Sequence, residues 1–202
     1  MRRVIVTNFV FWSTIHLFTS VLVFAQPNLI SQEIWREAGT PYIQNYSPKE
    51  YKENAQNWSI AQDSRGIMYI ANGHGVLEFD GVNWRLIKTS RGITVRSLAY
   101  VNQRMYAGGM NDLGFLAPGK GDSLKFVSLR DNLPAGYQNF KNVWYTQAIN
   151  DTVYFMAVDY LFQLHDGKIR TYKSQNGFHS AFAANGVFYI REKETGLLKF
   201  SR

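Results

Sequence analysis

Short runs of alternating apolar and polar residues fill most of the chain, and glycine, asparagine or aspartate residues separate them. The stretch IMYIANGHGVLEFDGVNW, residues 67–84, holds two such runs and ends near a third. Alternation with a period of two over about five residues predicts β-strands, and Asp80-Gly81 predicts a two-residue hairpin turn. The segment therefore predicts an antiparallel meander.

The same pattern recurs three more times along the chain. Each copy has a turn, a strand with a tyrosine between apolar residues, a break and a second strand; the tyrosines are Tyr69, Tyr106, Tyr154 and Tyr189. The tyrosines are about 35 to 48 residues apart, which is close to the period of four-stranded propeller blades and lacks the 3.6-residue pattern of helical repeats. A further short strand precedes each copy. The sequence thus predicts an all-β fold, with about four β-propeller blades in residues 57–202.

The fourth repeat ends with the chain, in its third predicted strand. We therefore expect an incomplete ring, and we interpret the chain as the N-terminal part of a longer protein or as a truncated gene product. Four repeats without a closing neighbour leave sheet edges open, which closed rings avoid.

The first 25 residues differ in composition from the rest. Arg2 and Arg3 precede an uncharged run over residues 4–24, and Val23-Phe24-Ala25 resembles a cleavage site, so we predict a secretory signal peptide. The alternative is an uncleaved membrane anchor, because the run is nearly long enough to span a bilayer. Residues 26–56 are predicted to form a lead-in segment that joins this part to the propeller.

Composition and charge narrow the class of protein. Hydrophobic residues make up 46% of the chain and cysteine is absent, so an exported protein of this kind must be held together by packing and not by disulfides. The net charge is +7, but lysine and arginine are spread out with no run of three. Because nucleic-acid binding usually needs a basic stripe, we expect no direct nucleic-acid binding by this chain.

Two segments resemble a known family. Residues 56–87, QNWSIAQDSRGIMYIANGHGVLEFDGVNWRLI, and residues 95–116, VRSLAYVNQRMYAGGMNDLGFL, are similar to the first blades of the two-component regulator propeller repeats, and residues 39–51 resemble that family's lead-in. The resemblance implies the exported sensor domain of a bacterial hybrid two-component or helix-turn-helix regulator. It further implies signal transduction, transcription regulation, a periplasmic location, and membrane attachment through a C-terminal part that this chain lacks.

The loops supply the candidate ligand-binding residues. We expect the connections from the second to the third strand, and from each blade to the next, to be longer and richer in side-chain chemistry than the tight turns at the other end. A small molecule or an oligosaccharide is the expected ligand. The predicted ligand-binding residues are Asn72, His74, Asn111, Asp112, Tyr137, Asn139 and Phe140.

The tryptophans have two interpretations. Trp58, Trp84 and Trp144 would suit stacking on sugar rings, but their positions in predicted strands favour packing between blades. The turn acids Asp63, Asp80, Asp151 and Asp166 are expected to bond their own backbone.

No catalytic, metal-binding or cofactor-binding motif is found in the sequence, so we predict a non-catalytic module. The alternative is a propeller enzyme acting on carbohydrates, a glycosidase or lyase, with carboxylates around the central channel.

Overall fold

The computed structural model describes residues 42–200, so the predicted signal peptide lies outside the described residues. After a short helix, the chain forms four consecutive antiparallel sheets, named blades 1 to 4. The helix is α1 (Pro48–Tyr51). Blade 1 holds β1 (Asn57–Gln62), β2 (Met68–Asn72), β3 (Gly75–Phe79) and β4 (Trp84–Ile87). Blade 2 holds β5 (Val95–Val101), β6 (Arg104–Gly109), β7 (Asp112–Pro118) and β8 (Leu124–Ser128), and a 3₁₀ helix (Arg130–Asn132) follows it. Blade 3 holds β9 (Val143–Ile149), β10 (Thr152–Ala157), β11 (Tyr160–His165) and β12 (Lys168–Lys173). Blade 4 holds β13 (Phe178–Ala184), β14 (Val187–Glu192) and β15 (Gly196–Phe200).

Each strand pairs with the next strand along the chain, in the order predicted from the repeats. Blades 1 to 3 have four strands and blade 4 has three. This topology confirms the predicted all-β fold with propeller-type blades. Within residues 42–200, no helix is long and apolar enough to cross a membrane.

The tight turns follow their sequence signals, with one exception. Asp166-Gly167 and Asn185-Gly186 are two-residue turns whose residues have φ between 48° and 72°, as type I′ hairpins require. The predicted two-residue turn at Asp80-Gly81 is wrong, because Phe79 pairs with Trp84 across a four-residue loop. The Asp80 carboxylate accepts the backbone N–H groups of residues 82 and 83, and this bonding holds the wider loop.

The hydrophobic core lies between the blades. Buried residues form one cluster between blades 1 and 2, a second between blades 2 and 3, and a third between blades 3 and 4. Successive side chains of a strand point to opposite faces, so each central strand serves two clusters. In β10, for example, Phe155 packs toward blade 2 while Tyr154 packs toward blade 4 and stacks on Phe188.

The outer face of blade 1 is covered by the chain that precedes it. Tyr46 and Tyr51 pack against Trp84, with ring centroids 5.4 Å apart in both pairs. A capping box between Ser47 and Glu50 starts α1 and sets the position of Tyr51. The strand position of Trp84 had predicted packing between blades. The tertiary structure instead places Trp84 under the lead-in segment.

We predict that Phe155→Ala lowers the free energy of unfolding by about 3–5 kcal/mol, because it opens a cavity between blades 2 and 3. The side chain of Phe155 is fully buried. The matched control is Phe182→Ala on the open face of blade 4, where 43% of the residue is exposed. It should cost about 1 kcal/mol or less. Urea unfolding measures both, and equal losses would contradict packing between the blades.

We predict that Gly81→Val destabilises the protein by about 1–3 kcal/mol through backbone strain alone. Gly81 has a φ of 98°, which valine resists, while an added Cβ would meet no other atom. Val82→Ala, in the same exposed loop, is the control and should change the melting temperature little. A melting temperature for Gly81→Val equal to that of the wild type would show that the loop changes shape freely.

Candidate functional site

One end of the blades carries both kinds of connection that were expected to bind ligand. We name this end the crossover face: it holds the turns from the second to the third strand of each blade and the segments that lead to the next blade. The turns at 73–74, 110–111 and 158–159 have two residues each, so the expectation that they are long is wrong. The longer segments are those between blades, at 88–94, 129–142 and 174–177.

Asn72, the first predicted ligand residue, is fully buried and holds the lead-in segment in place. Its side-chain amide donates to the Asn54 carbonyl at 2.6 Å and to Asn57 Oδ1 at 2.7 Å. Its Oδ1 accepts the backbone N–H of His74. The His74 ring is exposed and its Nδ1 lies 2.9 Å from the Glu53 carboxylate. Of this pair, only His74 presents its side chain to solvent.

The long segment 129–142 folds back on blade 3. Phe140 is fully buried against Phe162, and Tyr137 packs edge-on against Tyr160 with ring centroids 5.3 Å apart. Asn111, at a φ of 54°, accepts the Phe140 backbone N–H with its side-chain oxygen. Phe140 and the side-chain oxygen of Asn111 are therefore committed to the fold. Asn139, which lies between Tyr137 and Phe140 in the segment, is exposed.

Asp112 is fully buried at the start of β7, two residues after the turn begins. Its Oδ1 accepts the Ser128 hydroxyl at 2.5 Å and the Leu113 backbone N–H at 2.8 Å, while Oδ2 has no hydrogen-bond partner among the described residues. Burial raises the pKa of this carboxyl, and the two hydrogen bonds only partly oppose that rise. The side chain is thus part of the interior and does not reach the crossover face.

A group of residues outside the predicted ligand-binding set lies at the inner end of the crossover face. The first strands of neighbouring blades contact one another, so β1, β5, β9 and β13 form the inner edge of the assembly. Each of these strands has a β-bulge after its first residue, and the second residue is skipped in the pairing. Bulges re-aim side chains. The four residues at these bulges are Trp58, Arg96, Trp144 and His179.

Three of these four side chains meet. The Arg96 guanidinium lies 4.1 Å from the ring centroid of Trp58 and 4.6 Å from that of Trp144. The two rings contact each other edge-to-face at 6.1 Å, although they belong to blades 1 and 3. Their strand positions had predicted that Trp58 and Trp144 fill the core between blades. They are instead 42% and 39% exposed. We name Trp58, Arg96 and Trp144 the inner triad.

Aligning the repeats would have shown that these residues occupy equivalent places. NWSIA, VRSLA, VWYTQ and FHSAF each carry the bulge residue in second position. The alignment has no signal for the bulge itself, and so none for the direction of the side chain. The four strands also lack aspartate and glutamate. Among residues 42–200, no three side chains of the metal-ligating types come together.

A cavity of about 350 Å³ opens at the opposite end of the molecule, on blade 3, and Thr152, His165 and Arg170 are among its lining residues. Its lining residues alternate along their strands with residues that pack toward blade 2, so the cavity lies on the face of blade 3 that points to blade 4. The inner triad joins side chains of three blades, and we therefore give it more weight as a site.

The four consecutive antiparallel sheets and the contacts between their first strands define a propeller-type fold. Similar solved structures are the extracellular domains of the hybrid two-component systems BT4673 and BT3049 from B. thetaiotaomicron. BT4673 matches with a TM-score of 0.56 and 14% identity over 81% of this chain and 21% of its own. BT3049 matches with a TM-score of 0.54 and 18% identity over 76% and 23%.

Virginiamycin B lyase from Staphylococcus aureus has the same kind of fold, with a TM-score of 0.51 and 13% identity over 78% of this chain and 58% of its own. No family model and no curated protein matches the sequence. The two sensor domains confirm, at the level of the fold, the predicted resemblance to the two-component regulator propeller family. This chain spans only about a fifth of their length.

We predict that Asp112→Asn becomes more stable relative to the wild type as the pH rises from 4 to 8. The folded protein raises the pKa of Asp112 above its ordinary 3.8, so it holds the proton more tightly than the unfolded chain does. The stability of the wild type therefore falls as the pH rises through the interval between the two pKa values. Asparagine has no proton to lose, and its oxygen can still accept the bond from Ser128. Urea unfolding at several pH values tests this, and a difference that is constant with pH contradicts it.

Proposed function

We propose that this chain is the ligand-sensing part of an exported bacterial signal-transduction regulator, and that it binds its ligand without converting it. The observation that carries the proposal is the likeness of its fold to extracellular domains of two-component systems. The ligand is a small molecule or an oligosaccharide. In the full-length regulator, a further C-terminal part attaches the sensor to the membrane and passes the signal on to transcription.

The crossover face supports the binding role. It combines exposed polar side chains, His74 and Asn139, with the half-exposed aromatic rings of the inner triad. Rigid sheets hold all of them, because both faces of blades 1, 2 and 3 are covered by neighbouring blades or by the lead-in segment. Ligand sites commonly join a few polar groups to apolar surface in this way. Asn72, Asn111, Asp112 and Phe140 support the face from below, and Tyr137 is half-buried within it.

The inner strands favour binding over catalysis. A glycosidase or lyase needs acid and base groups at the substrate, and paired carboxylates are the usual solution. The first strands of the four described blades carry neither aspartate nor glutamate. The competing function is a propeller enzyme acting on carbohydrates, and the likeness to virginiamycin B lyase supports it only in that this kind of fold also occurs in an enzyme. Nucleic-acid binding is not proposed, because the positive charges are dispersed along the chain.

We predict that the full chain binds an oligosaccharide from a mixed panel in calorimetry and leaves it intact in chromatography. His74→Ala and Asn139→Ala should each weaken binding by about tenfold, or 1.4 kcal/mol. Asp122→Ala and Lys168→Ala, exposed at the opposite end, are the matched controls and should bind as the wild type does. Release of a product would favour the alternative function, a carbohydrate-active enzyme. Loss of binding only in the two control variants would place the site at the end opposite the crossover face.

A further inference from the structure

The inner triad combines one charged group with two apolar ring faces at a single point. It forms because three bulges, in β1, β5 and β9, turn equivalent side chains away from the sheets. The attraction between the cation and the electron-rich faces of the two rings holds the guanidinium between them. Asn142 fixes its direction further by accepting a hydrogen bond from Arg96 Nε at 2.9 Å. The site is thus preorganised by three blades.

The charge of Arg96 is not balanced within the described part of the chain. No carboxylate forms an ion pair with it there, and Arg96 Nη1 is buried without a hydrogen-bond acceptor. A buried donor with no acceptor is unfavourable for folding, and more so when it is charged. By contrast, the buried Glu78 carboxylate pairs with Arg85, and Asp63 pairs with Arg65 at 2.7 Å. A bound oxyanion would satisfy Arg96 in the way that these carboxylates satisfy the other arginines.

The rings supply the second part of the recognition. Trp58 and Trp144 keep about two-fifths of their surface exposed while they enclose the guanidinium. Aromatic faces favour flat or ring-shaped groups with C–H surface, and guanidinium favours carboxylate, sulfate or phosphate through paired hydrogen bonds. A ligand that carries an oxyanion next to a ring would contact both kinds of group at once.

We infer that the inner triad binds a small ring-shaped ligand through an attached oxyanion, with Arg96 binding the anion and the two tryptophans contacting the ring. This inference deepens the proposed sensor function and rests on it. The candidate ligands have an oxyanion in common, and a carboxylate, a sulfate ester or a phosphate ester can supply it.

Four probes of one ring size separate these sources: glucuronate, glucose 6-sulfate, glucose 6-phosphate and neutral glucose. We would titrate each against the full chain and follow tryptophan fluorescence and calorimetric heat. At least one anionic probe should bind at least tenfold more tightly than glucose. Arg96→Gln should remove that preference, and Trp58→Leu should weaken the anionic probe about fivefold, since each change removes one part of the contact.

The matched control is Arg104→Gln. Arg104 also lies over an aromatic ring, that of Phe115 at 4.4 Å, but it is in β6 and not at a bulge. It should leave the binding of every probe within twofold of the wild type. Arg96→Lys keeps the positive charge but lacks the planar guanidinium group. It provides a second test of the inference if Arg96→Gln does not fold. It should retain part of the preference for the anion, and thermal melting confirms that each variant is folded.

Two results would overturn the inference. One is equal binding of glucose and all three anionic probes, or no binding of any probe. The other is an anion preference that folded Arg96→Gln and Arg104→Gln retain equally. Either result leaves the sensor function standing if oligosaccharides still bind and depend on His74 and Asn139. A different result is that oligosaccharide binding does not depend on His74 and Asn139 while Arg96→Gln still removes the anion preference. That result would exclude His74 and Asn139 from the proposed site.

Discussion

Packing of one sheet on the next is the interaction on which the whole structure depends. Each blade has apolar side chains on both faces, and in β10 all six residues are buried. A single sheet of this kind would expose both apolar faces to water, so no blade is expected to be stable alone. The three clusters between blades therefore supply most of the apolar burial. Since cysteine is absent, no disulfide shares this task.

This packing decides which parts of the loops remain free to bind. The longest crossover segment, 129–142, gives Leu133 and Phe140 to the cluster between blades 2 and 3. A 3₁₀ turn and the bond from Arg130 to the Gln138 carbonyl then close the segment on itself. Asn139 is among the residues of this segment that stay exposed, and the two tryptophans of the inner triad are partly exposed at the start of the first strands. Length of a loop is thus a poor guide to its availability.

The two ends of the sheet stack are unlike. Tyr46 and Tyr51 cover blade 1 by packing on Trp84, whereas the far face of blade 4 has no such cover among the described residues. There Phe182 stacks on Tyr189, the equivalent of the tyrosines that point to the next blade in blades 1 to 3. The repeat pattern therefore continues to the last described sheet, including the surface that a further blade would need.

The sequence by itself determined the strands, their order and most of the turns. Alternation of apolar residues and turn pairs such as Asp166-Gly167 are local features, and local geometry follows from them. The repeats then determined the fold class, because repeated units with two apolar faces must stack. The capping box of Ser47 and Glu50 that starts α1 is likewise a local feature.

Only the tertiary structure decided which side chains are buried and which meet. Asn72 and Phe140 were predicted to bind ligand, but packing against the lead-in segment and blade 3 encloses them. Trp58, Arg96 and Trp144 meet because a bulge in each of three strands turns them to the same point. A bulge depends on how one strand pairs with another. Contacts between blades then bring together residues that are far apart in the chain, so no local pattern could predict this site.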